Sequence, residues 1–332
     1  MQPISIANIN ECNRNYHLAH SYYSFLKFIT MRTIISFIIS IGIITYSSCS
    51  SKTIPTKSLN YETTDKSGNK TLLGACTEKS LQREPYASWF NKNYSDYKID
   101  TQACEMLMQK LSGKSFEIFM GTWCGDSRRE VPRMFKILDY CGVKSSQIKL
   151  IMVSNKDSAY KQSPQHEERG LNIHRVPDLI VFENKKETGR IIESPVISLE
   201  KDLLAILNNE HYEANYKAVS VLMDLFAKNK ITNSENEIST LANTIKPFSK
   251  SANELNTFGY VKMAANEMDK AEIAFRINTI LYPENANMFD SLGDFYSKNN
   301  NPVAAKENYQ KALQLAPTNE ETRKKLSQLQ NN

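Results

Sequence analysis

Near the C-terminus a set of residues returns at a spacing of 34: Gly259, Ala271, Phe275 and Pro283 recur as Gly293, Ala305, Tyr309 and Pro317. Leu255 and Phe258 align in the same way with Phe289 and Leu292. A fixed period in this range marks a stack of like supersecondary units, each unable to bury its apolar face alone. Small residues at matched offsets let paired helices approach closely, and each proline ends a second helix because it cannot continue one.

The period and the small residues resemble the tetratricopeptide repeat family, which implies paired antiparallel helices and a surface for a protein partner. Lys262 departs from the aromatic expected there, whereas Tyr296 in the second copy agrees. Two copies are fewer than the three or so that such a stack needs. The helical stretch 212–246 is therefore expected to cover one end and the helix-prone residues 320–329 the other. The reading is a helical connector over 210–250, then two repeats and a capping helix over 251–332.

The opposite end carries an address. Met31-Arg32 precedes the apolar run Thr33 to Tyr46, followed by Ser47-Ser48-Cys49. Fourteen apolar residues fall short of the roughly 20 that span a bilayer. A positive start, a short apolar core and small residues describe a secretory signal. With Cys49 in place, residues 31–48 resemble a bacterial lipoprotein signal, although Tyr46 departs from the usual aliphatic residue. That resemblance implies a lipid on Cys49, a membrane as partner and the cell envelope, facing the periplasm, as location; an uncleaved anchor or plain secretory signal is the alternative. Residues 1–30 fit no such scheme and read as a misplaced translation start. Residues 49–98 read as a polar tether and N-terminal extension, with Trp89 and the tyrosines of 86–97 packing it onto the adjoining domain.

Charge and composition exclude several functions. The chain has 41 basic and 36 acidic residues, interspersed, for a net charge of +5. No basic stripe suited to nucleic acid is present. His166, His174 and His211 lack metal-ligand spacing and read as surface or loop residues. No Gly-rich phosphate loop or serine elbow occurs, so neither a metal nor a cofactor is expected.

Between residues 99 and 209 the pattern is mixed α/β. Residues 100–112 read as a helix with Ala103, Leu107, Met108 and Leu111 on one face. Ser115 to Gly121 reads as a buried strand, residues 125–141 as a helix, and Ile148 to Ser154 as a second strand. Leu179 to Phe182 and Thr188 to Ile192 are two more, joined by a polar turn. Ser198 is a good N-cap for a last helix striped by Leu203, Leu204, Ile206 and Leu207. The order predicts a central mixed sheet flanked by helices, followed by an all-α helical domain.

Gly121-Thr122-Trp123-Cys124-Gly125-Asp126-Ser127 lies at a strand-to-helix junction. Pro132 comes eight residues after Cys124, and Val176-Pro177 precedes a strand. In these three features residues 99–209 resemble the thioredoxin family. The resemblance implies a nucleophilic Cys124 flanked by Trp123, a kink at Pro132, and a cis-proline at Pro177 with the Val176 backbone pairing an extended substrate. A cysteine at a helix N-terminus is favoured as thiolate by unpaired N–H groups and nearby cations. Arg128 would support that charge and Asp126 would oppose it.

The departures matter equally. Ser127 replaces the family's second cysteine and cannot close a dithiol cycle, although it could hydrogen-bond the thiolate. Cys141 lies 17 residues further along one helix, about 25 Å away, while disulfide Cα atoms sit within about 7 Å. It reads, like Cys104, as a small core residue, which leaves Cys76 in the extension as the one flexible candidate. Ile118 replaces the family's buried acid, and Glu117 would face the other side of the sheet. Two functions stay open: thiol-disulfide exchange with protein thiols or disulfides through Cys124 alone, or a non-catalytic scaffold that binds protein partners.

Overall fold

Leu72, Gly74 and Cys76 share the buried face of a strand that enters the sheet well before the first one expected from the pattern. The computed structural model describes residues 58–228 and 231–330. Their first part holds β1 (Tyr61–Thr64), β2 (Lys70–Cys76), β3 (Lys114–Met120), β4 (Ile148–Met152), β5 (Asp178–Glu183) and β6 (Lys186–Ile192). These form one mixed six-stranded sheet in the order β1-β2-β4-β3-β5-β6, with only β3 and β4 parallel. The longer helices of this part are α1 (Ala87–Asp96), α2 (Thr101–Met108), α3 (Gly125–Tyr140) and α4 (Leu199–Leu207).

Alternation along β3 explains the layering. Phe116, Ile118 and Met120 enter one core with Val131, Phe135 and Leu138 of α3 and Leu203 and Ile206 of α4. Phe119 enters the other, with Ile151, Val153, Val176 and Ile180. Ser198 caps α4 as its sequence suggests, its hydroxyl accepting from the Lys201 N–H at 3.2 Å. The tight turn between β5 and β6 puts Asn184 and Lys185 at positive φ.

Two expectations need correction. The polar reading of residues 49–98 missed β1 and β2, which add two strands to one edge of the sheet. A short edge hairpin with polar residues on its outer face carries too weak an alternation to stand out. Cys76 is consequently no flexible partner: it is 7% exposed on β2, in register with Leu150, and two strands removed from β3. The aromatics of the extension do pack as expected, with Tyr86 and Phe90 buried and Phe90 6.2 Å from the Phe135 ring. The signal, Cys49 and residues 1–30 lie outside the described residues.

The second part is all helical: α5 (Lys217–Lys228), α6 (Glu235–Ile245), α7 (Asn253–Ala264), α8 (Met268–Leu281), α9 (Ala286–Lys298), α10 (Pro302–Leu315) and α11 (Glu320–Gln330). The 34-residue period has a direct physical cause. A Cβ on Gly259 would sit 2.7 Å from the Phe275 ring, and one on Gly293 would sit 2.5 Å from the Tyr309 ring. The same ring thus presses on the same bare backbone in both hairpins. On one side α5 and α6 cover the stack through Val219, Leu222, Ile238 and Leu241. On the other, Thr322 and Lys325 of α11 bond Asp290 of α9, both at 2.7 Å.

Candidate functional site

Cys124 is the N-cap residue of α3 and is only partly buried. Its position depends on Gly121, where a Cβ would lie 2.3 Å from the Trp123 indole; no residue but glycine leaves room for that ring. The indole Nε1–H donates to the Val153 carbonyl at 2.9 Å, so Trp123 is pinned against the end of β4. The Val176-Pro177 peptide is cis, and the Val176 carbonyl accepts from the Cys124 thiol at 3.3 Å. Trp123, Cys124, Val176 and Pro177 therefore converge as the motif implies.

The remaining motif residues do different work. Ser127 is fully buried and its Oγ accepts from the Gly121 N–H at 3.3 Å, so it braces the turn instead of facing the sulfur. Arg128 donates to the Thr122 carbonyl at 2.5 Å and lies with Trp89 and Tyr86 on the side of the extension. Asp126 pairs with Arg129 at 2.8 Å. Ile118 is buried and Glu117 pairs with Lys149 at 3.3 Å on the opposite face, so neither position supplies an acid beneath the site.

The charges beside Cys124 come from a segment that carries no motif. Lys161 is 5% exposed, with its ammonium 6.0 Å from the Trp123 ring and 5.1 Å from that of Tyr160. Burial and the nearby Arg175 push its pKa down to about 8, against the attraction of Cys124, Glu193 and Asp126. Arg175, just before Val176, reaches Glu193 at 3.4 Å and the Asn253 carbonyl of α7 at 2.7 Å. His174 is buried, not at the surface, and meets Tyr216 and Phe258 edge-on. Sequence reasoning missed Lys161, Arg175 and the role of His174. The one available signal was the proximity of His174 and Arg175 to Val176-Pro177.

A groove of 640 Å³ opens between the two parts. Tyr160 and Asp157 form one wall; Tyr260, Asp294, Ser297 and Tyr309 form the other. Tyr260 and Tyr309 both donate to Asp294, at 2.9 and 2.8 Å, which fixes the helical wall. Among the described residues no cluster of His, Cys, Asp or Glu is placed to hold a metal ion, and no helix is long and apolar enough to cross a membrane.

No family model matches the chain, and the search of curated proteins found no match. The architecture itself is a helix-flanked mixed sheet with a C-terminal helical-repeat region, consistent with a thioredoxin-like plus helical-repeat arrangement.

Proposed function

We propose that the chain is a protein-binding platform whose groove takes an extended segment of a partner. The observation that carries this reading is the shared wall: Tyr160 of the α/β part and Tyr260 and Tyr309 of the repeat line one cleft. Repeat arrays use such concave faces for binding, and aromatic side chains in a cleft supply anchoring area. Among the described residues no second cysteine stands near Cys124 to complete a redox pair. The same reading keeps Cys49 as the point of lipid attachment and the envelope as the address.

Point substitution tests this better than deletion, because Leu255 and Phe258 are core residues that pack on α5 and α6. Arginine at Thr257 and Ser297 fills the groove and spares the core. The expected result is that a photo-cross-linker at Lys298 captures a partner in the native envelope. Capture should fall about tenfold in the Thr257→Arg/Ser297→Arg variant and persist in Cys124→Ser. Equal capture with the groove filled disproves the platform.

A second reading, single-cysteine thiol exchange, rests on the half-exposed sulfur and its 3.3 Å contact with the Val176 carbonyl. The Cys124 thiolate would attack one sulfur of a partner disulfide, and the other would leave as thiolate. An external thiol then attacks the partner sulfur of the mixed disulfide and Cys124 departs. Peptide mapping after mixing with a small aromatic disulfide should show an adduct on Cys124. Cys76 and Cys104 are buried, and burial pushes the thiol pKa of each up to about 12. An unmodified Cys124 rules the exchange out.

A further inference from the structure

Two other cysteines lie against each other at the far end of α3 from Cys124. Cys104 sits within α2, its N–H bonded to the Asp100 carbonyl at 2.9 Å. Cys141 is the C-cap residue of α3, its N–H bonded to the Ile137 carbonyl at 2.9 Å. Helical hydrogen bonds therefore fix both backbones, and the two side chains meet between them. The Cys141 thiol donates to the Cys104 carbonyl at 3.7 Å. The two thiols also share a hydrogen bond with each other. Both sulfurs belong to the core that holds Leu107 and Leu138.

The pair is polarised. Cys104 is fully buried and keeps its proton: burial, and then the adjacent Cys141, push its pKa up to about 12. Cys141 is only half-buried. Burial raises its pKa as well, but the bond from the Cys104 thiol lowers it, with Glu200 acting against that. Cys141 is thus the sulfur that a reagent reaches and the one that ionises more readily, with Cys104 directly behind it. Glu200 is buried nearby, its carboxylate accepting from the Tyr97 hydroxyl at 3.0 Å. That charge repels a thiolate on either cysteine, whereas a disulfide carries no charge to be repelled.

We propose that Cys104 and Cys141 form an intrachain disulfide that staples α2 to the end of α3, with a small disulfide as oxidant. The Cys141 thiol loses its proton to solvent and its sulfur attacks one sulfur of the oxidant, the other leaving as thiolate. Cys104 then gives up its proton and attacks the Cys141 sulfur, which expels the second thiolate; both leaving groups take up a proton. Two cysteines are oxidised to one disulfide, and one small disulfide is reduced to two thiols. The movement required is a turn of the Cys141 side chain off the carbonyl, which brings the sulfurs to about 2 Å. The envelope address proposed above is a compartment where such bonds persist. The pairing itself rests on the contacts alone, and it stands whether or not Cys124 exchanges thiols or the groove binds a partner.

Peptide mapping without reduction tests the assignment. The full chain is incubated with oxidised glutathione at mildly alkaline pH, alkylated in denaturant and digested with trypsin. Cleavage after Lys98, Lys110, Lys136 and Lys144 leaves the two cysteines in peptides 99–110 and 137–144. The expected product is these two peptides joined, two hydrogens lighter than their sum, and separated by reductant. The link should form equally in Cys124→Ser. Because it joins residues 37 apart, it should raise the thermal midpoint by roughly 5 °C or more over the reduced chain. Cys141→Ala should show no such difference. Both peptides recovered alkylated, Cys104 joined to another cysteine, or a link lost in Cys124→Ser would each overturn the assignment. An unchanged midpoint with the link formed would overturn the staple.

Discussion

Phe258→Ala should lower the unfolding free energy by about 3–5 kcal/mol, the usual range for deleting a buried aromatic ring. Phe258 is fully buried in the core that α7 shares with α5 and α6. Its ring also meets His174 edge-on from the α/β part, with centroids 6.3 Å apart. One truncation therefore empties space on both sides of a joint. The rings around it are held by their own packing and cannot collapse freely into the void. Denaturant unfolding monitored by Trp123 and Trp89 fluorescence measures the effect. Because both indoles lie in the α/β part, a large shift in their midpoint reports that the joint is cooperative. An unchanged midpoint would mean that the two parts unfold separately.

His174 should make stability fall on acidification, and His174→Phe should remove that part of the dependence. Burial drives its pKa down from 6.5 to about 3; the Asn172 carbonyl on Nδ1 opposes this, while Lys161, Arg175 and Arg190 reinforce it. The folded chain thus holds the neutral ring while the unfolded chain takes up a proton first. Stability from this group is complete above pH 6.5 and is lost as pH falls toward 3, at about 1.4 kcal/mol per pH unit. At pH 5 the loss is about 2 kcal/mol.

Asp178 acts in the opposite sense. Burial raises its pKa from 3.8 to about 6 despite the Arg190 ion pair. Its stabilising contribution is present below 3.8 and lost as pH rises through 6. The two groups partly cancel in the wild-type profile, so the informative quantity is the difference between wild type and His174→Phe. That difference should change by up to one proton's slope between pH 4 and 6.5. A flat difference would show that His174 does not titrate with folding.

Strong periodicity made part of the fold legible in the sequence. The strands β3 to β6, the Ser198 cap and the 34-residue repeat are each written by local pattern, and the structure has them within a residue or two. Edge strands β1 and β2 were not, because a hairpin with one apolar face and seven or fewer residues per strand looks like a polar tether. The junction of Trp123, Cys124, Val176 and Pro177 was legible because a recurrent fold fixes it. The bond that the Ser127 hydroxyl accepts from the Gly121 N–H was not legible, because spacing says that a residue is near, not which way its hydroxyl turns. Lys161, Arg175 and His174 lie in an irregular stretch, and no local pattern announces a contact 78 residues distant such as Arg175 to Asn253.

Arg175, the residue preceding Val176, donates to the Asn253 carbonyl at one end of α7, and the Val176 carbonyl in turn accepts from the Cys124 thiol. A tilt of the repeat that kept the guanidinium bond would carry the peptide with it. The leverage is mechanical and short, a single side chain and one amide. One side chain and one peptide thus join the helical part to the sulfur.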